Sequence, residues 1–88
     1  MILTISDYRE MASQVNFGIN CEEYNMVEVE KEGIAMLVCC TAEIDYFENG
    51  EEVRVYIESV QAWDSETNEA VEVFFNTFAF EDEVREAA

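Results

Sequence analysis

The chain has no histidine and no proline, only three glycines, and only four basic residues: Arg9, Lys31, Arg54 and Arg85. Each shortage excludes something. Without histidine there is no imidazole to serve as general base, triad member or metal ligand. Without proline there is no polyproline tract or Pro-rich linker. So many acids against four bases repel phosphate, so direct binding to nucleic acid or to an anionic membrane is excluded. A single lysine and so few glycines leave no phosphate-cradling loop. The three cysteines, Cys21, Cys39 and Cys40, are odd in number, and two are neighbours. They give no disulfide framework, no two-residue-spaced redox motif and no structural zinc spacing. Buried free thiols in a reducing cytoplasm are the simpler expectation. No signal-like basic segment leads into a hydrophobic one, and no run of 18 apolar residues could span a bilayer. A soluble, intracellular protein is expected.

What is present is acid. Twenty-one Asp and Glu give a formal net charge of -17. Solubility asks for a magnitude of only about 2 to 8 in a small domain, and self-repulsion on this scale works against compaction. Yet six Phe, four Tyr and one Trp accompany the acids, and disordered acidic tails lack such residues. The chain therefore folds, as one acidic domain over residues 1–88 with a modest core. The excess charge favours a basic protein partner. Halophilic adaptation is the plainer alternative.

The fold is organised around residues 34–59, which read as a long β-hairpin turning at Asn49-Gly50. That dipeptide between alternating strands signals a type I′ turn, whose two central residues need positive φ. The apolar run from Ile34 to Cys40 fits a strand covered on both faces, with alternation from Ala42 onward. Beyond the turn Val53, Val55 and Ile57 share one face, and Arg54, Tyr56 and Glu58 share the other. Before the hairpin, Ile5, Tyr8, Met11, Ala12 and Val15 recur at spacings of three and four, predicting a helix over residues 5–16. Thr4 or Ser6 caps it and Gly18 ends it. Residues 20–32 admit two readings. Asn20 with Glu23 resembles a capping box and Gly33 a helix C-cap, which together give a helix over 21–32. The strict alternation of Val27-Glu28-Val29-Glu30 instead gives one helical turn at 21–24 and a strand at 26–31. The second reading is favoured. After a polar turn at 64–68, a strand from Ala70 would put Val71, Val73 and Phe75 in the core, with Glu72, Phe74, Asn76 and Phe78 on the reverse face. The tail from Glu81 forms one or two helical turns anchored by Phe80 and Val84. The expected class is α+β: an N-terminal helix on a three- or four-stranded antiparallel sheet built around the hairpin, with a short C-terminal helical segment. Phe74 and Phe78 exceed what a small core needs, so they either cover the sheet's second face or form a homodimer interface.

Carboxylates alone do not make an enzyme. A glycosidase-like pair must be fixed across a cleft with separated pKa values, and nothing selects a pair from 21 acids. The run Glu43–Glu52 has acids and a glycine but not the donor order of an EF-hand loop. No catalytic, cofactor or metal residues are assigned. The charge pattern itself is the remaining signal. Acids at alternate strand positions stand about 6.6 Å apart, and acids at i and i+4 of a helix about 6 Å apart. Both distances are comparable to phosphate separations along DNA. The candidate rows are Glu28 with Glu30, Glu43 with Asp45, and Glu48, Glu51 and Glu52 at the hairpin tip. Glu58, Glu66, Glu69 and Glu72 continue the field. Glu81, Asp82, Glu83 and Glu86 add a final cluster.

The opening Thr4-Ile5-Ser6-Asp7-Tyr8-Arg9-Glu10-Met11-Ala12 and the stretch Val15-Asn16-Phe17-Gly18-Ile19-Asn20-Cys21 resemble the anti-restriction nuclease family of T4-like bacteriophages. Charge balance and length fit as well, so the resemblance covers essentially the whole chain. Members of that family are DNA mimics that inhibit the host's modification-dependent restriction endonuclease of the McrBC type, which cuts DNA bearing modified cytosine. The resemblance implies a non-catalytic inhibitor in the host cytoplasm, needing no cofactor, whose acids occupy the enzyme's DNA-binding surface. It also implies a dimer that presents a longer phosphate-like array. No single functional residue carries over. The alternative from the residues alone is an acidic binding module for a basic nucleoid-associated or regulatory protein.

Overall fold

A computed structural model describes residues 2–88. Among them the chain forms two helices, α1 (Ile5–Ala12) and α2 (Thr77–Ala87), and four strands, β1 (Gly18–Ile19), β2 (Glu23–Lys31), β3 (Ile34–Phe47) and β4 (Gly50–Asp64). The class is α+β, with both helices on one face of a single sheet.

β3 is the spine. β4 pairs with it antiparallel along its whole length, from Ile34↔Asp64 to Phe47↔Gly50. β2 pairs antiparallel on the other side, from Glu23↔Ala42 to Lys31↔Ile34. β1 extends that side by pairing parallel, Gly18↔Glu43 and Ile19↔Ile44. The sheet is therefore mixed, where a wholly antiparallel one was expected. The parallel pair arises because the chain leaves α1 and crosses to the far end of β3 before turning back into β2. Gly18 sits in that crossing. A Cβ there would lie 2.1 Å from the Cys21 carbonyl oxygen, so only glycine fits. Its role is close approach to backbone rather than helix termination.

The turns exchange the roles expected of them. Glu32 and Gly33 carry φ of 54° and 78° and join β2 to β3 as a two-residue type I′ turn. The long hairpin turns one residue earlier than Asn49-Gly50 suggested. Phe47 pairs with Gly50, which leaves Glu48 and Asn49 at the centre. Asn49 has no positive φ, whereas Gly50 has φ 146°. The glycine's freedom serves the first residue of β4, so no type I′ turn forms there.

α1 ends at Ala12, short of the predicted Asn16. Of the two caps offered for its start, Thr4 serves, and Asp7 completes a reciprocal capping box with it. Its end is set by β2. The Gln14 carboxamide donates to the Glu28 carbonyl at 2.8 Å and accepts from the Glu28 N–H at 3.2 Å. The buried Asn25 side chain accepts from Asn16 N–H at 2.8 Å and donates to its carbonyl at 2.9 Å. Ser13 is still helical in φ and ψ, and these bonds draw the chain beyond it away from the helix axis and onto β2. The same contacts favour the strand reading of residues 20–32. β2 begins at Glu23, so the helical turn expected at 21–24 does not form.

After β4 the chain makes one isolated bridge, Trp63↔Ala70, and no further ladder. The strand predicted from Ala70 is absent from the described residues, although its facing pattern survives. Val73 and Phe75 pack on the core while Glu72 and Phe74 are exposed. The segment ends when Asn76 caps α2 by accepting from Ala79 N–H at 3.1 Å. α2 thus begins earlier than the expected tail helix and contains Phe78. Phe80 and Val84, the predicted anchors, are fully buried. They join Tyr8, Met11, Val15, Val27, Met36, Val38, Cys40 and Ala42 in the core.

A bulge keeps β4 in phase with that core. Cys39 pairs with Ser59 and Cys40 with Ile57, so Glu58 has no partner. The extra residue lets Val53, Val55 and Ile57 share a face with Val60 and Ala62. Without it the far half of the strand would turn its apolar side to solvent. The molecule is elongated, 51 × 21 × 16 Å.

Candidate protein-binding surface

The few cations are already engaged within the fold. Lys31 Nζ lies 2.7 Å from Asp7 Oδ2, and Arg9 Nε 3.3 Å from Glu83 Oε2. Arg54 reaches Asp45 at 3.1 Å and Glu52 at 3.7 Å, and Arg85 reaches Asp82 at 3.7 Å. These pairs touch five of the 21 acids. Most of the remaining carboxylates face solvent without a basic neighbour among the described residues.

The candidate acids do not form one patch. Strand pairing places Glu28, Glu30, Glu43, Asp45 and Glu52 on the sheet face opposite the helices. Glu58 projects from the bulge, Glu48 from the hairpin turn, and Glu51 is exposed beside it. Glu66 and Glu69 flank the turn after β4, where the Asp64 carboxylate accepts from Glu66 N–H and Thr67 N–H. Glu72 lies on the segment before α2. Glu81, Asp82, Glu83 and Glu86 are on α2, where Glu83 is turned against Arg9 and is only 12% exposed. The acids encircle a rod, and several of the candidate contacts are paired within the fold: Asp45, Glu52, Asp82 and Glu83.

On the open face, Glu43 and Asp45 follow one another along β3, and their mutual field is unfavourable. The Glu43 carboxyl is raised above its usual range, first by hydrogen bonding to Asp45, then by burial and Asp45's charge. Arg54, paired across from Glu43, opposes that shift.

The helix-free face also holds side chains that charge patterning did not select. Tyr24, Thr41 and Tyr56 form one cross-strand row; Met26, Cys39 and Ser59 form the next. Tyr24 is 54% exposed, Met26 60% and Tyr56 66%. The Tyr24 phenol is raised, first by the Cys39 side chain and then by burial, with the Glu58 charge adding to it. Cys40, on the helix side of the same strand, is raised to about 11, chiefly by burial. It is a packing residue with no thiolate character. The signal for this face was present in β2: the polar Asn25 points inward while Tyr24 and Met26 point outward, inverting the usual order.

A second exposed apolar group lies by the helix N-termini. Ile2, Ile5 and Phe74 line a shallow cavity there with Tyr8 and Ala79, and Phe78 is exposed in the first turn of α2. Among the described residues no three His, Cys, Asp or Glu side chains are grouped to hold a metal ion. No helix there is long and apolar enough to cross a membrane. Comparison with models of protein families, with curated proteins and with solved structures found no match.

Proposed function

We propose that this protein is a non-catalytic inhibitor that imitates DNA phosphates and occupies the DNA-binding surface of a host modification-dependent restriction endonuclease of the McrBC type. It acts in the host cytoplasm and needs no cofactor. One observation carries the reading. A net charge of -17 spread along 51 Å gives one negative charge per about 3 Å, between the ~3.4 Å of a DNA strand and the ~1.7 Å of the duplex. The rod is as long as about 15 base pairs. The acids lie around it on strands, turns and helix, so a cleft closing on either side meets negative charge. Because the bases are held in internal pairs, they offer little positive charge to repel a basic cleft. Two copies joined through Phe74, Phe78 and Ile2 would double the array.

Competition tests the reading. Titrate the purified nuclease with this protein, with and without duplex DNA carrying modified cytosine. Mutually exclusive binding is expected, weakening steeply between about 50 and 200 mM salt as DNA binding does. Simultaneous occupancy by protein and DNA would refute it.

A further inference from the structure

We infer that the open sheet face docks a protein surface that is apolar or aromatic at its centre and carries an arginine or lysine toward each end. Only the assignment of that surface to the nuclease rests on the function proposed above. The centre is Tyr24, Met26 and Tyr56, exposed around the less exposed Leu37 and Cys39. No helix covers it, although the chain has two and both pack on the opposite face. One end of the face carries Glu28 and Glu30, and the other Glu43, Asp45 and Glu52 with Arg54 paired to the last two, so each end keeps two more acids than bases.

Acid at both ends decides the occupant. Two copies stacked face to face set carboxylates against carboxylates whether their strands run the same way or opposite ways. Stacked sheets lie about 10 Å apart, close to the Debye length of ~8 Å at physiological salt. Screening therefore removes only part of that repulsion. A basic-ended surface gains from the same geometry. Relief in the face matches it. Beside Ala35 lies a shallow cavity of about 310 Å³ walled by Trp63, Glu28 and Glu30. Beside Thr41 lies one of about 230 Å³ walled by Tyr56, Glu22, Glu43 and Arg54, the last drawn toward Asp45 and Glu52 by its ion pairs. Each joins an aromatic ring to two carboxylates. A guanidinium stacks on the ring and hydrogen-bonds the acids, while its stem lies on apolar surface. Thr41 lies six positions along β3 from Ala35, so the partner's cations stand about 20 Å apart.

The test is the double variant Met26→Ser/Tyr56→Ser, which leaves the helix-side core untouched. The probes are two nine-residue peptides, each with two arginines at either end. One has a Leu- and Trp-rich centre and the other a serine centre. At 0.5 M salt the wild type should bind the first at least about tenfold more tightly, and the double variant should bind both alike. Equal binding of the two peptides by the wild type would overturn the inference. So would a wild-type dimer, seen by light scattering, that the double variant dissociates, since a second copy would then be the occupant. In the nuclease assay the double variant should lose affinity without changing the slope of log Kd against log salt. A nuclease that fails to bind the wild type refutes the proposed function and leaves the peptide result to decide the docking face.

Discussion

Replacing Asp7 by Asn should destabilise this protein at neutral pH even though it removes one of too many negative charges. Asp7 Oδ2 accepts from Thr4 N–H at 2.7 Å, from Thr4 Oγ1 at 3.1 Å and from Lys31 Nζ at 2.7 Å. The first contact is one half of the capping box of α1, whose other half, Asp7 N–H to Thr4 Oγ1, the variant keeps; exchanging the charged acceptor near the helix N-terminus for a neutral amide costs about 1 kcal/mol. The ion pair is partly exposed, 27% for Lys31 and 16% for Asp7. It is therefore worth about 1 kcal/mol, well below the roughly 3–5 lost when a fully buried pair is broken. The total is about 2 kcal/mol, against a stability of roughly 4–13 kcal/mol for a domain of this size. At neutral pH that is a fall in Tm of roughly 8–16 °C. The pH dependence fixes the cause. The Lys31 hydrogen bond, followed by the Thr4 N–H, holds the Asp7 carboxyl below its ordinary 3.8. A lowered carboxyl stabilises fully above the unfolded value and stops doing so as pH falls through the folded one. Urea denaturation of both proteins from pH 7 to pH 3 should thus show a gap that narrows below about pH 4. A variant as stable as the wild type at pH 7 would mean that net repulsion outweighs the pairing. A gap that persists unchanged in acid would mean that shape, not charge, was lost.

Glu43→Gln makes the same chemical change with the opposite expected sign. The Glu43 carboxyl is raised, so its ionisation works against folding above the folded pKa. The variant should melt higher at pH 7 and converge with the wild type in acid, as thermal scans at both pH values would show; a lower melting point at pH 7 would refute this. Phe80→Ala empties the centre of the core, where the ring is fully buried against Phe75 and the helices. It should cost about 3–5 kcal/mol and leave the chain marginal by circular dichroism. Gln14→Ala strips the carboxamide from the outer edge of β2 at Glu28. It should cost about 1 kcal/mol by urea titration and increase self-association by light scattering, because an exposed strand edge recruits other strands.

The parts of this fold legible in the sequence are those set by local chemistry. Thr4, one of two caps offered, marks the start of α1, the alternation of Val27 and Val29 gives β2, and Phe80 with Val84 anchors α2. What could not be read depends on distant partners. The end of α1 is decided by Gln14 and Asn16 bonding to β2, which helical periodicity through Val15 does not reveal. Asn49-Gly50 carries the stronger turn signal, yet the register of the fourteen-residue β3 puts Glu48 and Asn49 at the tip. Val71, Val73 and Phe75 alternate as a strand does, and alternation reports which side chains are covered but not whether the backbone finds a ladder. For the surface, acid abundance was plain from composition, whereas the pairing that neutralises Asp45 and Glu83 was not. The apolar open face was hidden because a run such as Ile34–Cys40 reads as covered on both sides. Leu37 and Cys39 in fact share the open face with exposed Tyr24, Met26 and Tyr56 and are not covered by a helix.

The elongated shape has a thermodynamic consequence of its own. A compact globule of this charge would present a diffuse field, but a line of charge this dense gathers an atmosphere of small cations along its length, as nucleic acid does. Any basic surface that docks on it displaces those ions into bulk solution and gives up the anions it held itself. Part of the drive for association is then the entropy of released salt, a term set by the geometry of the rod and indifferent to which particular carboxylates line it.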